Sequence, residues 1–257
     1  MEIQTAVSLW NYNHYHPAPD LEEILSVLRK HHFGVELWDS WQKDTDLYHP
    51  GQRDKLAFAL QGMPVSLHSA IGARGREVHR QQIETAAALG SEILVVHTDN
   101  LCAPNRDQVD YALAAELVAY AADRGVQLAL ENGQLPVLRE ILGRVEGLKI
   151  CLDVGHVYLV REGMAEFLDT FGKEIVHLHL QEILSEPEQK LVGEAGIILD
   201  HYTPGTGGIP LRDWNLLFRR LKDLEYRGMA VFEIQPRRPV QTGHLARLFL
   251  DSILREG

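Results

Sequence analysis

Long hydrophobic runs are missing from this 257-residue chain. No stretch of eighteen apolar residues occurs, which argues against a membrane-spanning helix. Its two cysteines, Cys102 and Cys151, are too few for a disulfide framework, and Cys151 sits inside an aliphatic run that reads as core. The opening Met1-Glu2-Ile3-Gln4 lacks the basic and apolar regions of a signal peptide. Together these features lead to the expectation of a reducing cytoplasm. No Gly-x-Gly-x-x-Gly follows the first strand-like segment, which weakens an open dinucleotide-binding sheet. Low-complexity tracts and interdomain linkers are also lacking. Basic excess is absent too: the formal charge of −11 opposes strong, nonspecific attraction to nucleic acid phosphates, though not a local basic patch.

What the chain does have is an apolar fraction of 45%, enough for a substantial core, in a length that suits one large domain spanning 1–257. Strand-like and helix-like periods alternate to the end. Strands are expected at Ile3–Trp10, Gly34–Trp38, Val65–His68, Ile93–His97, Leu128–Glu131, Ile150–Asp153, Ile175–Leu180 and Met229–Ile234. Amphipathic stretches separate them, such as Asp107–Arg124 with Val109, Leu113, Leu117, Tyr120 and Ala121 on one face. Gly90, Gly125 and Gly228 stop three of these helices, and Asp20 is a good N-cap before Leu21. One long irregular connection, Gln181–Pro210, is expected after the seventh strand. Eight strand–helix pairs in series predict an α/β fold, a closed (β/α)8 TIM barrel in a single domain.

Six of the aliphatic runs end in a residue that can bind a metal or move a proton: His68, His97, Glu131, Asp153, His179 and Glu233. A single histidine there is usually a hydrogen-bonded structural group, and a single carboxylate is often a helix cap. Recurrence at one relative position changes that reading. Burying unpaired polar groups is costly, so repeated polar endings imply that they converge. In a barrel they would line one mouth, where barrel active sites lie. Period-two alternation places Glu131 above Ala129, Asp153 above Cys151, His179 above His177 and Glu233 above Val231. Three carboxylates and one imidazole suit a hard or borderline divalent ion: Mn²⁺, Mg²⁺, Co²⁺ or Zn²⁺.

At these residues the chain resembles the xylose isomerase-like barrel superfamily, which holds sugar and sugar phosphate isomerases and epimerases as well as endonuclease IV-type nucleases. The resemblance rests on Gly34-Val35-Glu36-Leu37-Trp38, Leu130-Glu131-Asn132, Leu152-Asp153-Val154-Gly155-His156, His177-Leu178-His179 and Asp200 to Ile209. It implies one metal held by Glu131, Asp153, His179 and Glu233. Glu131 and Glu233 then face opposite sides of a substrate carbon and trade a proton through an enediolate. His156 would hold substrate oxygens, and Glu36 would back the metal ligands or touch substrate. Trp10, Trp38 and Tyr202 are placed to stack on a sugar ring or to serve as core.

The nuclease branch implies a different use of the same residues. There His68 and His97 would share a first zinc with Glu131, and His156 and His201 would serve a third. The aspartate that this third site needs, two residues before His201, is Leu199 here. Asp200 lies one residue late, and its side chain is expected to point elsewhere unless the loop is shifted. That departure and the acidic charge favour a metal-dependent sugar isomerase or epimerase with a small carbohydrate substrate, over zinc-dependent cleavage of abasic DNA or a non-catalytic metal- or sugar-binding barrel. His68 and His97 exceed what a one-metal epimerase needs, and could bind substrate hydroxyls or a second ion. The Pro204–Gly208 loop reads as a tight lead into the next helix in preference to a phosphate cradle. The polar, aromatic run Asn11–His16 is expected at the mouth as a substrate contact. Self-association through helix faces, as in barrel homo-oligomers, is left open.

Overall fold

Parallel strands covered on both faces must be apolar along most of their length, and the aliphatic runs meet that demand. In the computed structural model, which describes residues 3–10, 12, 20–39, 47–103, 107–192, 199–234 and 239–256, they form eight parallel strands in the order β1 to β8. These are Gln4–Ser8, Gly34–Trp38, Val65–His68, Ile93–Val96, Gln127–Glu131, Lys149–Asp153, Ile175–Leu180 and Met229–Phe232. β8 pairs with β1 from Gln4 opposite Met229 to Val7 opposite Phe232, and so closes the barrel. The expected (β/α)8 architecture is present. Residues 11 and 13–16 of the expected mouth contact lie outside the described residues.

The large core lies between strands and helices. Leu21, Ile24, Leu25 and Leu28 recur at helical spacing on α1 (Leu21–Lys30) and are buried, while Asp20 accepts a hydrogen bond from the Glu22 amide at 2.9 Å. Two separate small clusters hold the residues that alternation turns the other way: Ala6, Met229 and Val231, and Val95, Ala129 and Cys151. These small side chains leave room above them for the polar strand ends. At the opposite end, Arg247 on α10 (Pro239–Glu256) bonds Thr5 Oγ1 and the carbonyls of His31 and His32, and stands 3.7 Å from the Phe33 ring centroid. The last helix is thereby tied to the first strand.

Two connections differ from expectation. The single helix expected after β6 is two, α6 (Val154–Leu159) and α7 (Met164–Phe171), separated where Arg161 takes a left-handed φ of 59°. The connection after β7 carries its own helix, α8 (Glu186–Val192), before α9 (Leu211–Asp223). Among the described residues no helix is long and apolar enough to cross a membrane.

Candidate metal centre at the barrel mouth

Strand register delivers the side chains. Asp153 ends β6 and caps α6, accepting from the His156 amide at 2.8 Å, so one residue both starts a helix and faces the mouth. Its backbone is clamped to β5: the Asp153 amide donates to Asn132 Oδ1 (2.5 Å), and Asn132 Nδ2 donates to the Asp153 carbonyl (3.1 Å). His97 lies one residue past β4, where its amide donates to Asn100 Oδ1 (2.6 Å). The Asn100 amide group donates in turn to the Ala70 and Ala73 carbonyls, fixing the loops after β3 and β4 together.

Glu131, Asp153, His179 and Glu233 are all buried and each offers one ligand atom, all within 4.8 Å of one another. His179 Nδ1 is 3.2 Å from Glu233, 3.6 Å from Glu131 and 3.9 Å from Asp153. Glu131 is the hub. One oxygen lies 3.0 Å from His68 Nε2 and 3.2 Å from His97 Nε2; the other is 2.9 Å from His156 Nδ1. The structure thus brings together all six polar strand ends.

The segment after β7 folds back on itself and supplies a second cluster. Residues Glu182 and Tyr202 exchange backbone hydrogen bonds at 2.8 and 3.0 Å, and Leu184 bonds the Leu199 carbonyl. His201 sits between them with φ 63°, a left-handed conformation that costs a non-glycine residue about 1–2 kcal/mol. That backbone twist is the loop shift on which the expectation for Asp200 depended. Its carboxylate does not point elsewhere: it lies 2.9 Å from His201 Nδ1 and 3.7 Å from His156 Nε2, in a second potential ligand group. Counting residues along an extended chain predicts the wrong face because the chain here is not extended. His201 Nε2 also approaches Glu233 at 3.7 Å, linking the two clusters.

The glycine-rich loop has its amides already engaged. Those of Gly205 and Ile209 donate to the buried Glu182 carboxylate at 3.1 and 2.8 Å. A Cβ on Gly207 would come within 2.2 Å of Glu182 Cγ and the Ile183 carbonyl, so only glycine fits.

Glu36 and the tryptophans occupy supporting positions. Glu36 is fully enclosed beneath the mouth, where it accepts from Ser66 Oγ (3.0 Å) and lies 2.9 Å from His177 Nε2 and 3.1 Å from His179 Nε2. Of its two expected roles, the geometry supplies the one behind His179. Trp38 is buried and stacks on the His68 ring, with centroids 4.1 Å apart and planes at 5°. Trp10 stacks on His201 at 4.4 Å. Both indoles therefore pack against imidazoles.

Burial opposes every charge in this site, and the neighbours decide which charges persist. Against that burial His97, His156 and His68 hold the Glu131 carboxyl well below the usual range, and His179 and His201 do the same for Glu233. For Asp153 burial wins, and its carboxyl is pushed up. Carboxylate neighbours overcome burial at His156, raised to about 9 by Asp153 and Glu131, and at His201, raised to about 10 by Asp200 and Glu233.

The residues fit a divalent cation. His179 directs Nε2 at Glu36, which leaves Nδ1 as the atom facing the three carboxylates. That nitrogen is buried and makes no hydrogen bond among the described residues. Three carboxylates and an imidazole nitrogen form a donor set for a hard or borderline ion. A carboxylate behind a ligating histidine is a common way to fix its ring. The sequence reading missed Gln181, which is fully buried and touches Asp153; its only signal was a polar residue directly after a strand already ending in histidine.

The family model described as a xylose isomerase-like TIM barrel matches residues 12–252. The chain belongs to that family. Solved structures of the same fold cover it almost end to end. A D-tagatose 3-epimerase-like protein has a TM-score of 0.70 at 20% identity, covering 99% of both chains. The IolI protein with a bound zinc atom has a TM-score of 0.73 at 16% identity, with the same coverage. A D-allulose 3-epimerase from Methylomonas sp., solved with D-allulose, has a TM-score of 0.66 at 19% identity, covering 98% of this chain and 96% of that one. At these identities the likeness establishes the fold. Uncharacterized proteins of Sinorhizobium fredii and Methanocaldococcus jannaschii are 23% and 26% identical over 62% and 66% of this chain. The matches span 52% and 60% of those relatives' lengths.

Proposed function

We propose that the protein is a divalent-cation-dependent isomerase or epimerase of a sugar or sugar phosphate, with Glu131 and Glu233 as its acid/base pair. The carrying observation is that both carboxylates, from strands three apart in the barrel, approach the same bare His179 nitrogen, at 3.6 and 3.2 Å. They therefore flank one small region from two directions. Glu131, Asp153, His179 and Glu233 would hold the cation, whose charge would lower the cost of negative charge developing on adjacent substrate oxygens.

One glutamate, ionised because its imidazole neighbours hold its pKa down, takes the proton from the carbon beside the substrate carbonyl. The C–H electron pair moves into an enediolate, and the other glutamate, carrying a proton taken up from solvent, delivers it to the opposite face and inverts that centre. His156, beside Glu131, would hold a substrate hydroxyl. The sugar epimerases among the structural relatives support a carbohydrate substrate, and the zinc in the IolI protein supports a cation of this kind.

A specific observation also favours a second reading. Asp200 joins His156 and His201, and His68 and His97 both reach Glu131, so the residue types that a three-zinc phosphodiesterase would use gather near one another. The chain's net charge of −11 weighs against a DNA substrate.

Two measurements separate the readings. Elemental analysis of protein purified without chelator should find close to one divalent ion per chain, whereas three zinc ions with incision of an abasic-site duplex would establish the nuclease. Incubation with ketoses in D₂O should place solvent deuterium on the carbon beside the carbonyl. Glu131→Gln and Glu233→Gln should each reduce that exchange by about 10²–10⁴-fold. Full activity in both variants would overturn the acid/base assignment.

A further inference from the structure

Gln181 lies where the inner ligand group meets the loop that carries the outer one. It is fully buried, directly after β7. Its Nε2 donates to both Asp153 oxygens, at 3.0 and 2.9 Å, and its Oε1 accepts from the His201 amide at 2.5 Å. Both ends of one amide are thus committed, one to each cluster. The chain also makes room for it: a Cβ on Gly155 would lie 2.5 Å from Gln181 Oε1 and 2.6 Å from its Cδ. Glycine between Asp153 and His156 therefore serves the glutamine and not the helix alone.

We infer that Gln181 is a positioning residue that sets the orientation of the Asp153 carboxylate and, through the same amide, pins His201 in its left-handed conformation. This rests on the proposed cation core. The His156 amide holds one Asp153 oxygen at 2.8 Å, and the Gln181 amide, bonded to both oxygens, fixes the plane of the carboxylate that the cation would meet. The direction of the amide is fixed by chemistry: the NH₂ group can only donate to the carboxylate, and the carbonyl can only accept from the backbone N–H. Exchanging the two would set the amide oxygen against the carboxylate oxygens and the NH₂ group against the His201 N–H.

The test uses the whole chain and Mn²⁺ alone. Gln181→Met keeps length and bulk but neither hydrogen bond; Ile83→Val, buried in the hydrophobic core, provides a mildly destabilised control. Mn²⁺ affinity, read from the paramagnetic resonance of the free ion, should fall about 10–100-fold in Gln181→Met and stay within about twofold in the control. Hydrogen exchange at the His201 amide should accelerate at least about tenfold in Gln181→Met alone, as expected when one protecting bond is lost. Gln181→Glu keeps the acceptor for His201 while removing the donor to Asp153, so it should retain slow His201 exchange. Mn²⁺ affinity within about twofold of wild type in a folded Gln181→Met protein would overturn the assignment to Asp153, and unchanged His201 exchange would overturn the assignment to the loop. If the wild-type chain binds no Mn²⁺, the cation core and this inference fall together. If it binds Mn²⁺ but leaves ketoses unexchanged, the proposed activity fails and the positioning role is still decided by affinity.

Discussion

Two regions of the barrel use the same kind of strand ending in different ways. On β5 to β8 the polar ends leave an atom over: His179 Nδ1 faces Glu131, Asp153 and Glu233 with no hydrogen bond among the described residues. On β2 and β3 the polar ends are met mainly by other side chains of the protein, whereas His97 after β4 keeps a buried Nδ1 with no hydrogen bond among the described residues. Glu36 is met by Ser66, His177 and His179, and His68 is held between Glu131 and the Trp38 face. A buried polar group fully paired within the chain stiffens the site, while one left unpaired asks for a ligand. The same residue type at the same strand position therefore does not imply the same job. What separates the jobs is the number of donors and acceptors left over.

The comparison is broken most severely at its supporting side. Glu36→Gln leaves two enclosed imidazoles without their anion, and should cost about 3–5 kcal/mol in urea unfolding. It should also weaken divalent-cation binding, measured by calorimetry, by about 10–100-fold. Little change in either would mean that the β2 carboxylate does not fix His179.

The supply of protons sharpens it next. A raised imidazole stabilises the cation-free fold fully below its unfolded value of 6.5, and that contribution disappears as pH climbs through about 9 for His156 and about 10 for His201. The depressed carboxyls of Glu131 and Glu233 act in the other direction: their contribution is present above 4.5 and lost as pH falls below it. Chelated protein should therefore lose urea resistance between pH 7 and 10. Because bound cation displaces the same protons, its affinity should rise over that range with proton release, seen as buffer-dependent binding heat. A flat profile would contradict the assigned neighbours.

His68→Gln tests the division itself. With Glu131 still held by His97 and His156, cation stoichiometry should stay unchanged and affinity should fall by no more than about tenfold, since His68 stands beside the ligands. A loss of one bound ion per chain in elemental analysis would move His68 into a metal site. The smallest effect belongs to Trp38→Phe, which removes the 3.2 Å bond from Nε1 to Ser8 Oγ while keeping an aromatic face on His68. It should cost about 1 kcal/mol with cation affinity intact.

Much of the architecture was legible because its signals are local. Runs such as Gly34–Trp38 and Ile175–Leu180 begin and end where alternation and flanking glycines place them. The convergence of Glu131, Asp153, His179 and Glu233 followed from strand order plus period-two alternation, which together define one end of a barrel. Helix α8 was hidden because Glu186–Val192 is short and has no strong apolar stripe. Gln181 was hidden for a different reason: glutamine after a strand carries no chemistry until the partners at Asp153 and His201 are in place.

The sequence by itself determined the barrel, the mouth and the roll of polar groups gathered there, since these depend on periodicity and on the order of elements. The tertiary structure alone decided how those groups divide. Glu36 and His177 are 141 residues apart in sequence, and their 2.9 Å contact exists only when β2 and β7 face each other across the closed barrel. The left-handed turn at His201 brings Asp200 into a cluster that residue counting had closed to it. Polar strand ends announce a site from sequence because burying them is costly. Which of them remain free to act depends on pairings that no local pattern records.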